Sequence, residues 1–419
     1  MRSGSIAELS ADEVWAEVRL AIRNLLGHKL RTGMTFGAVV FGVMSLILSS
    51  GFIDDMYIQL REAVIHSQFG HVQVNARGFF EKGARAPDRF LIDDPVPLKA
   101  RIAGETGVVD VMARVSFSGL LNSGRSDRPI VGEGIEPDRE RTLGTFVRVE
   151  SGRLLEDQDR YAIIVGKGLA DALRIKVGDR VTVVASTSGG ALNTLDFDVV
   201  GVFQSFSRDY DARAVRIPLA AAQTLLNTDG VNTLVVSLAD TLQTPRIAAL
   251  LSGQLDSAKF EVKQWNELTD FYDKTVALYD RQFGVLRLIV LLMVLLGVAN
   301  SVNMSVFERV GDFGTMMALG NRRIDVFRLV MLENTVIGLA GSLIGVIAGV
   351  LLAWAISAIG IPMPPPPSSE LGYLAQIRVV PRELALAFVI GVVATVAAAV
   401  LPARRVSRIP VAVALRQNV

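Results

Sequence analysis

This chain of 419 residues contains four long uncharged stretches: one lies near the start, and the other three follow after a long gap. They occupy residues 32–53, 288–307, 334–363 and 384–403. A helix rises about 1.5 Å per residue, so roughly 20 apolar residues cross a hydrocarbon core of about 30 Å. Each stretch reaches that length, and the gap between the first two is long enough for a folded domain. We therefore expect a membrane anchor that carries one large body outside the bilayer.

The composition fits this mixture and excludes several classes of function. Half of the residues are hydrophobic and the mean hydropathy is +0.40, which suits membrane helices combined with a water-exposed domain. The formal net charge of +1 argues against nucleic acid as a partner. The chain has no cysteine, and His28, His66 and His71 lack the spacing of metal ligands, so no metal site is predicted.

The distribution of Lys and Arg predicts the orientation in the membrane. Basic residues concentrate before the first stretch, between the second and third, and after the fourth, whereas the segment between the third and fourth carries only Arg378 and Arg382. Both termini are therefore expected in the cytoplasm. The first 31 residues lack the apolar core of a cleavable signal peptide, so the first stretch is expected to be a permanent anchor.

These signals divide the chain into nine segments plus an inserted subdomain. We predict a cytoplasmic amphipathic helix at 1–31, which Ser10 and Glu13 would start as a capping box, and membrane helices at 32–53, 283–307, 329–361 and 382–403. An extracytoplasmic domain is expected at 54–280 with a subdomain inserted at about 144–238, a cytoplasmic loop at 308–328, a short proline-rich external loop at 362–381 and a cytoplasmic tail at 404–419.

The large domain has the pattern of a mixed α/β fold. Short β-branched or alternating runs predict strands at 71–75, 162–165, 180–185, 197–203 and 232–238. Apolar residues at helical spacing predict helices at 168–173, 219–226 and 245–255. The fold class is thus membrane α plus α/β, with four membrane helices and the mixed domain between the first and second.

The sequence shows no catalytic chemistry. Gly166-Lys167-Gly168 lacks the upstream glycine and the Ser or Thr of a nucleotide-binding loop. No Ser/His/Asp set or nucleophile elbow is present, and the carboxylates of the large domain are scattered along the chain. We therefore expect this chain not to be an enzyme.

The loop at 308–328 carries apolar residues that need to be buried. Phe313, Met316, Met317 and Leu319 form a short apolar surface, and Gly320 stands where a helix would stop. Two interpretations remain open: these residues fold back on the ends of the membrane helices, or they enter a groove on a protein partner.

Small residues recur every four positions in the last two spans, which lets membrane helices pack closely. The packing residues are Gly341, Gly345 and Gly349 in the third span and Gly391 in the fourth. Packing inside one chain and packing between two chains both fit this pattern. In the second span, Asn300 and Asn303 are expected to form hydrogen bonds with neighbouring helices.

Three segments give the chain a recognisable resemblance. They are residues 21–32, residues 303–345, which include Glu308-Arg309 and Ala318-Leu319-Gly320, and residues 401–416, which open with Leu401-Pro402-Ala403-Arg404-Arg405. With the order of the spans, they resemble the permease subunits of mechanotransmission ABC transporters: the MacB, LolC/LolE and FtsX-like permeases. The resemblance covers nearly the whole chain.

This resemblance implies partners and a site. A separate ATPase subunit in the cytoplasm would bind ATP and Mg²⁺, with no cofactor in this chain, and a second permease, identical or related, would pair with it in the inner membrane. Residues 268–282 would extend the second span outward as a stalk. The segment seated on the ATPase would be a coupling helix made of Gly311, Asp312, Phe313, Gly314, Met316, Met317, Leu319 and Gly320. Family members usually have Glu-Ile-Gly where this chain has Asp312-Phe313-Gly314, and an arginine where it has Met317.

The substrate stays open at this level. The segment at 69–74 is similar to the opening of the external domain in the lipoprotein-releasing branch, which implies release of lipoproteins or other amphipathic substrates from the outer leaflet. The alternatives are MacB-like efflux of a drug or peptide with a periplasmic adaptor, and FtsX-like activation of a cell-wall hydrolase. Where the lipoprotein branch has a long hydrophobic hairpin that docks a periplasmic chaperone, this chain has only the short polar segment 185–194, so chaperone docking there is not supported.

Overall fold

The computed structural model describes residues 29–83, 87–364 and 372–416. The predicted amphipathic helix before residue 29 and most of the proline run lie outside these residues. The chain divides into two compact units. The membrane-helix unit comprises the described parts of Met1–Tyr57, Leu278–Ile361 and Leu374–Val419, and the sheet domain comprises Ile58–Ala277 and Pro362–Tyr373.

The helices of the described residues follow one another along the chain, most of the short ones within the sheet domain. They are α1 (Lys29–Val64), α2 (Pro95–Ala103), α3 (Pro137–Leu143), α4 (Lys167–Leu173), α5 (Arg208–Asp211), α6 (Leu219–Leu226), α7 (Thr244–Gln254), α8 (Asp270–Glu308), α9 (Val310–Ala318), α10 (Arg323–Ile359), α11 (Pro381–Val406) and α12 (Val411–Arg416).

Four helices within the described ranges, α1, α8, α10 and α11, are long and apolar enough to cross a membrane. Helix α1 has 36 residues and α8 has 39, so they measure about 54 Å and 58 Å and exceed the hydrocarbon core. The helical extension that the sequence predicts before the second span is present, because α8 begins at Asp270. Both helices belong in part to each unit and continue through the boundary without a break.

The sheet domain is built on one large mixed sheet, ten-stranded as far as the described residues show. Its order is β10-β1-β9-β2-β3-β8-β5-β7-β4, with β6 paired to β2 and β7. Pairs β3/β8 and β5/β7 are parallel and the others antiparallel. The strands are β1 (Val72–Ala76), β2 (Val108–Asn122), β3 (Asp127–Ile135), β4 (Arg148–Gly152), β5 (Ala162–Gly166), β6 (Arg180–Ser186), β7 (Leu192–Gln204), β8 (Ala214–Pro218), β9 (Thr233–Leu238) and β10 (Phe260–Gln264). Two further strands, β11 (Ile361–Met363) and β12 (Tyr373–Ala375), form a separate two-stranded sheet within the described part of the loop before α11.

The structure confirms the predicted fold class, yet several central strands lie outside the sequence prediction. The predicted strands correspond to β1, β5, β6, β7 and β9, whereas β2, β3, β8, β4 and β10 were missed. Strands β2, β3 and β8 carry Arg114, Glu133 and Arg216 respectively, and all three side chains are buried. A charged residue inside a strand interrupts the apolar pattern that identifies strands, so these three are hidden from a pattern search.

The core of the sheet domain is a continuous apolar layer over the sheet. Phe117 on β2 is buried directly against Gly132 on β3, where a Cβ atom would lie 2.1 Å from the ring. Only glycine can occupy that position, since any side chain would overlap the aromatic ring. The close approach holds β2 and β3 in register at the centre of the sheet.

Candidate functional site

Helix α9 is the short helix between the second and third membrane helices, at the predicted coupling segment. Its neighbour is helix α12 near the end of the described chain. A Cβ atom on Gly314 would lie 2.6 Å from the Cβ of Ala414, so glycine is what allows the two helices to approach. Both helices belong to the core of the membrane-helix unit, which includes Phe313 and Ala414.

The predicted coupling residues do not all face the same way. Phe313 is 1% exposed, and Gly311 and Gly314 are also buried. Phe313 therefore follows the first of the two interpretations: it folds back into the core of the membrane-helix unit and does not contribute to an exposed apolar surface. Leu319, by contrast, is 83% exposed at the end of α9. Asp312 is exposed, and Met316 and Met317 are half-buried.

Gly320 ends helix α9, as the sequence predicts. Its φ is +105°, a backbone conformation that side chains disfavour. The amide of Gly320 donates to the carbonyl of Met317 at 3.2 Å, and the amide of Asn321 donates to that of Met316 at 3.1 Å. This pair of bonds is a Schellman motif, which stops the helix sharply. Leu319 consequently stands at a fixed, exposed corner of the chain.

A buried ion pair holds the beginning of α9 against α10. The guanidinium of Arg309 donates to both carboxylate oxygens of Glu333, at 2.6 and 3.1 Å, and both side chains are about nine-tenths buried. The same guanidinium lies 5.0 Å from the centre of the Phe313 ring, within cation–π range. The two residues are 24 positions apart, so no local pattern in the sequence signals the pair.

The small-residue face of α10 packs inside this chain, against α1. A Cβ atom on Gly341, Gly345 or Gly349 would lie 3.0, 2.9 or 3.1 Å from a side-chain atom of α1. The α1 residues involved are Val39, Val43 and Ile47, which share the same four-residue spacing. Gly391 on α11 meets Val43 and Ser342 in the same way, at 2.4 Å.

The sheet domain contains a buried ionic network that the sequence analysis missed. Glu133 and Arg216 stand opposite each other in the parallel register of β3 and β8, with 3.2 Å between Oε2 and Nε. The hydroxyl of Tyr210 donates to the same Glu133 oxygen at 2.8 Å. Burial alone raises the pKa of Glu133, but the charges of Arg216 and Arg114 outweigh it and hold that pKa below its usual range. The carboxylate is therefore ionised and paired.

The same network forms hydrogen bonds with the segment that directly follows helix α1. Arg216 donates to the carbonyl of Ser67 at 3.1 Å, and Arg114 donates to the carbonyl of Gln68 and to Glu140. Ser67 and Gln68 belong to a π-helical turn, Ile65–Phe69, that directly follows α1. Two buried arginines thus bind the turn that follows this long helix to the central strands of the sheet.

The short polar segment 185–194 is hydrogen-bonded to helix α6. The amide of Ser188 donates to the carbonyl of Leu226 at 3.0 Å, and the side-chain amide of Asn193 donates to the carbonyl of Leu225 at 3.0 Å. The tip of the β6–β7 hairpin therefore caps the end of a helix.

Four long apolar helices with a large sheet domain between the first and second define a multi-pass membrane protein, and comparison with known proteins agrees. The model of the MacB-like periplasmic core domain matches residues 32–253, more than half of the chain. The model of the FtsX-like permease C-terminal matches residues 284–411, which contain the last three membrane helices and the α9 segment.

Similar proteins include lipoprotein-releasing and macrolide-export permeases. The lipoprotein-releasing system transmembrane protein LolC of Neisseria meningitidis is 25% identical, over 82% of this chain and 83% of the relative. The macrolide export ATP-binding/permease protein MacB of Hyphomonas neptunium is 25% identical, over 96% of this chain and 60% of the relative. Among solved structures, the periplasmic region of MacB from Actinobacillus actinomycetemcomitans aligns with a TM-score of 0.36 and 16% identity, over 50% of this chain and 93% of that one.

The chain belongs to the family of ABC transporter permeases that carry a MacB-like periplasmic core domain and an FtsX-like permease C-terminal region. The resemblance found in the sequence is thereby confirmed, and the chain is a multi-pass inner-membrane permease. Permeases of this family work with ATPase subunits.

Proposed function

We propose that this chain couples ATP hydrolysis by a separate cytoplasmic ATPase to movement of its sheet domain, and thereby releases lipoproteins or other amphipathic substrates from the outer leaflet of the inner membrane. The observation that carries the proposal is Leu319: a large apolar side chain, 83% exposed, at the end of a helix that is otherwise firmly held. We propose that this side chain enters a groove on the ATPase, as an apolar anchor residue does at a protein interface.

The way α9 is held makes it suitable for transmitting force. The Arg309–Glu333 pair ties its beginning to α10, and the contact between Gly314 and Ala414 ties its middle to α12. Buried ion pairs are geometrically specific, and removing either partner is costly. A partner that displaces Leu319 therefore displaces the adjoining ends of the membrane helices with it.

Two further features support movement of the sheet domain as the output. Helices α1 and α8 are continuous over lengths well beyond the bilayer, so each carries a displacement along its axis. The buried network of Arg114, Arg216 and Glu133 binds the turn after α1 to the centre of the sheet. We propose that this network is the joint at which helix movement enters the sheet domain.

The proposed orientation and partner are tested with single cysteines, since the chain has none of its own. In intact cells, Leu319→Cys is expected to resist a membrane-impermeant maleimide, whereas Leu242→Cys on the sheet domain, 76% exposed, is expected to react. Labelling of Leu319→Cys from outside would contradict the proposal.

The ATPase contact is tested with the same two positions. Leu319→Asp is expected to reduce co-purification of the partner ATPase subunit at least about tenfold, as loss of a central apolar anchor does. Leu242→Asp, equally exposed, is the matched control and is expected to retain it. Equal retention by both variants would refute α9 as the coupling element.

Efflux of a drug or peptide is the second candidate, because a MacB relative matches 96% of this chain. The two functions differ in what depletion does. Lipoprotein release predicts lipoproteins retained in the inner membrane after depletion of the permease. Efflux predicts normal lipoprotein sorting, increased sensitivity to an exported compound, and a co-purifying periplasmic adaptor.

A further inference from the structure

Two of the three histidines of this chain lie side by side where helix α1 enters the sheet domain. The rings of His66 and His71 are 5.5 Å apart and meet edge to face. His66 lies in the π-helical turn after α1, and His71 directly precedes β1. The first apolar stretch ends at Ile53, so His66 stands more than about 15 Å beyond it along the helix. Both histidines therefore lie outside the hydrocarbon core, within the sheet domain.

A continuous chain of hydrogen bonds runs from the sheet through His71 to helix α1. The amide of Leu238 donates to Nδ1 of His71 at 3.2 Å, and Nε2 of that ring lies 3.1 Å from the hydroxyl of Thr241. The same hydroxyl donates to Oε1 of Glu62 at 3.2 Å. The first bond makes Nδ1 of His71 an acceptor, so this ring carries its one N–H on Nε2 and is neutral.

His66 approaches Glu62 from the other side. Its Nε2 is 3.3 Å from Oε2 of Glu62, and its Nδ1 is 3.0 Å from the carbonyl oxygen of Leu143 at the end of α3. A carboxylate and a carbonyl only accept hydrogen bonds, so both ring nitrogens of His66 must donate. A neutral imidazole has one N–H and an imidazolium has two. The geometry therefore requires His66 to be protonated.

The charged groups around His66 favour the protonated ring. On α1, Glu62 faces the ring directly, and Arg61 donates to the other oxygen of Glu62 at 3.0 Å. On the sheet-domain side, the ring stacks on Phe146 at 6.3 Å, and Asp240 adds a negative charge beside the second histidine. The hydrogen bond with Glu62 raises the pKa of His66 above its usual value, and the opposing effect of burial is smaller. Next to this cluster stand the paired charges of the network described above: Arg114, Arg216, Glu133 and Glu140.

We propose that His66 is a proton-dependent clasp that fastens the end of helix α1 to the sheet domain. The protonated ring binds Glu62 of α1 and the end of α3 at the same time. After loss of the proton, the ring keeps a single N–H, and a lone pair on Nε2 faces the carboxylate of Glu62 in place of a charge-assisted hydrogen bond. A rise in pH outside the cytoplasm therefore loosens the turn through which α1 enters the sheet.

The direction of the effect follows from the raised pKa of His66. Its stabilising contribution is fully present below about pH 6.5, the ordinary pKa of histidine, and is lost as the pH rises through the higher pKa of the folded chain. The clasp regulates the joint named in the proposed function, and it rests on that function only for the movement that the joint transmits.

Hydrogen exchange in the full-length chain, reconstituted in lipid nanodiscs, tests the clasp. The amides of residues 60–70 are followed between about pH 6 and pH 9, with rates corrected for the intrinsic pH dependence of exchange. Their protection is expected to fall about tenfold for each unit by which folding raises the pKa of His66. Helix α6, which has no ionisable side chain, is the internal reference and is expected to stay constant. Constant protection at 60–70, or an equal fall in α6, would overturn the proposal.

Three substitutions identify the group that carries the proton. His66→Gln cannot ionise, so protection at residues 60–70 is expected to be independent of pH. Glu62→Gln keeps the ring but removes its counter-charge, so the transition is expected at lower pH than in wild type. His71→Gln is the control and is expected to keep the wild-type transition, because the pKa of His71 is about 4.

The outcomes that contradict the assignment are equally specific. A wild-type transition in His66→Gln, an unshifted transition in Glu62→Gln, or loss of the transition in His71→Gln would each overturn it. The exchange measurement is made without the ATPase. Failure of the clasp is therefore distinguishable from failure of the coupling contact at Leu319.

Discussion

Asp55 accepts a hydrogen bond from the guanidinium of Arg378, with 2.9 Å between Oδ1 and Nε. Asp55 lies on α1 and is fully buried, whereas Arg378 lies in the loop before α11 and is half exposed. The other carboxylate oxygen accepts from the amide of Gln376 at 2.9 Å, and the amide of Arg378 donates to the carbonyl of Gly51 at 3.1 Å. One carboxylate therefore fastens this loop to the first membrane helix.

Replacing Asp55 is expected to loosen that attachment. Asp55→Ala removes a charged acceptor of two hydrogen bonds, and we expect a loss of about 1.5–3 kcal/mol in the free energy of unfolding. The loss should fall toward the lower limit, because Arg378 regains water when it is released. The measurement is thermal unfolding of the purified protein in detergent. Arg382→Ala, in an exposed residue of the same region, is the control and should be nearly neutral; equal melting of the two variants would contradict the prediction.

The Arg309–Glu333 pair should behave as a coupled unit. Glu333→Ala leaves a buried guanidinium without its counter-charge, and we expect it to cost about 3–5 kcal/mol. The double variant Arg309→Met/Glu333→Leu removes both charges and should recover most of that loss. A double-mutant cycle that includes the single variants Arg309→Met and Glu333→Leu, measured by thermal unfolding, checks the coupling, and additive losses in the double variant would show that the two side chains are independent.

The contact between α1 and α10 should not tolerate a larger residue. Gly345→Val places methyl groups against Val43 and the backbone carbonyl of Val40, so the helices must move apart, at a cost of about 1–3 kcal/mol. Gly284→Val is the matched control, because the space around Gly284 on α8 is open within 4 Å. Thermal unfolding of the two variants is the comparison, and a loss of equal size at both positions would argue against this packing.

His71 should make the stability of the sheet domain depend on pH. Burial, with a smaller effect from the positive charge of His66, lowers the pKa of His71 to about 4. Its surroundings suit the neutral ring: Nδ1 accepts from the amide of Leu238 at 3.2 Å, which leaves Nε2 to donate to the hydroxyl of Thr241 at 3.1 Å. Protonation would place a hydrogen on Nδ1 opposite another donor.

The direction of this pH dependence follows from the pKa of His71 in the folded and in the unfolded chain. The unfolded chain takes up a proton on His71 near its ordinary pKa of about 6.5, and the folded chain does so only near 4. The contribution of His71 is therefore fully present above about pH 6.5 and is lost as the pH falls toward 4, up to about 3 kcal/mol. Unfolding of wild type and His71→Gln between about pH 7 and pH 4 measures this. Parallel pH curves for the two proteins would contradict the prediction.

Features that depend on neighbouring residues were predicted from the sequence, whereas features that depend on residues far apart in the chain were not. The membrane helices were predicted correctly because they depend on local composition. The end of helix α9 at Gly320 was predicted as well, because it depends on a single residue. Strands β2, β3 and β8 were missed because their buried Arg114, Glu133 and Arg216 look like surface residues until partners from distant parts of the chain are known. The placement of Phe313 stayed open for the same reason, because helix α12, which belongs to the same core, lies about 100 residues later.

The sequence by itself determined that this protein crosses the membrane, where its large domain lies between the spans, and which family it resembles, because length, hydropathy and short motifs are carried by neighbouring residues. Only the tertiary structure decided which charges are paired, which apolar residue of α9 stays exposed, and that, contrary to expectation, Asn300 and the Oδ1 atom of Asn303 lack hydrogen-bond partners among the described residues. Those facts depend on which surfaces meet, and a linear pattern does not contain them.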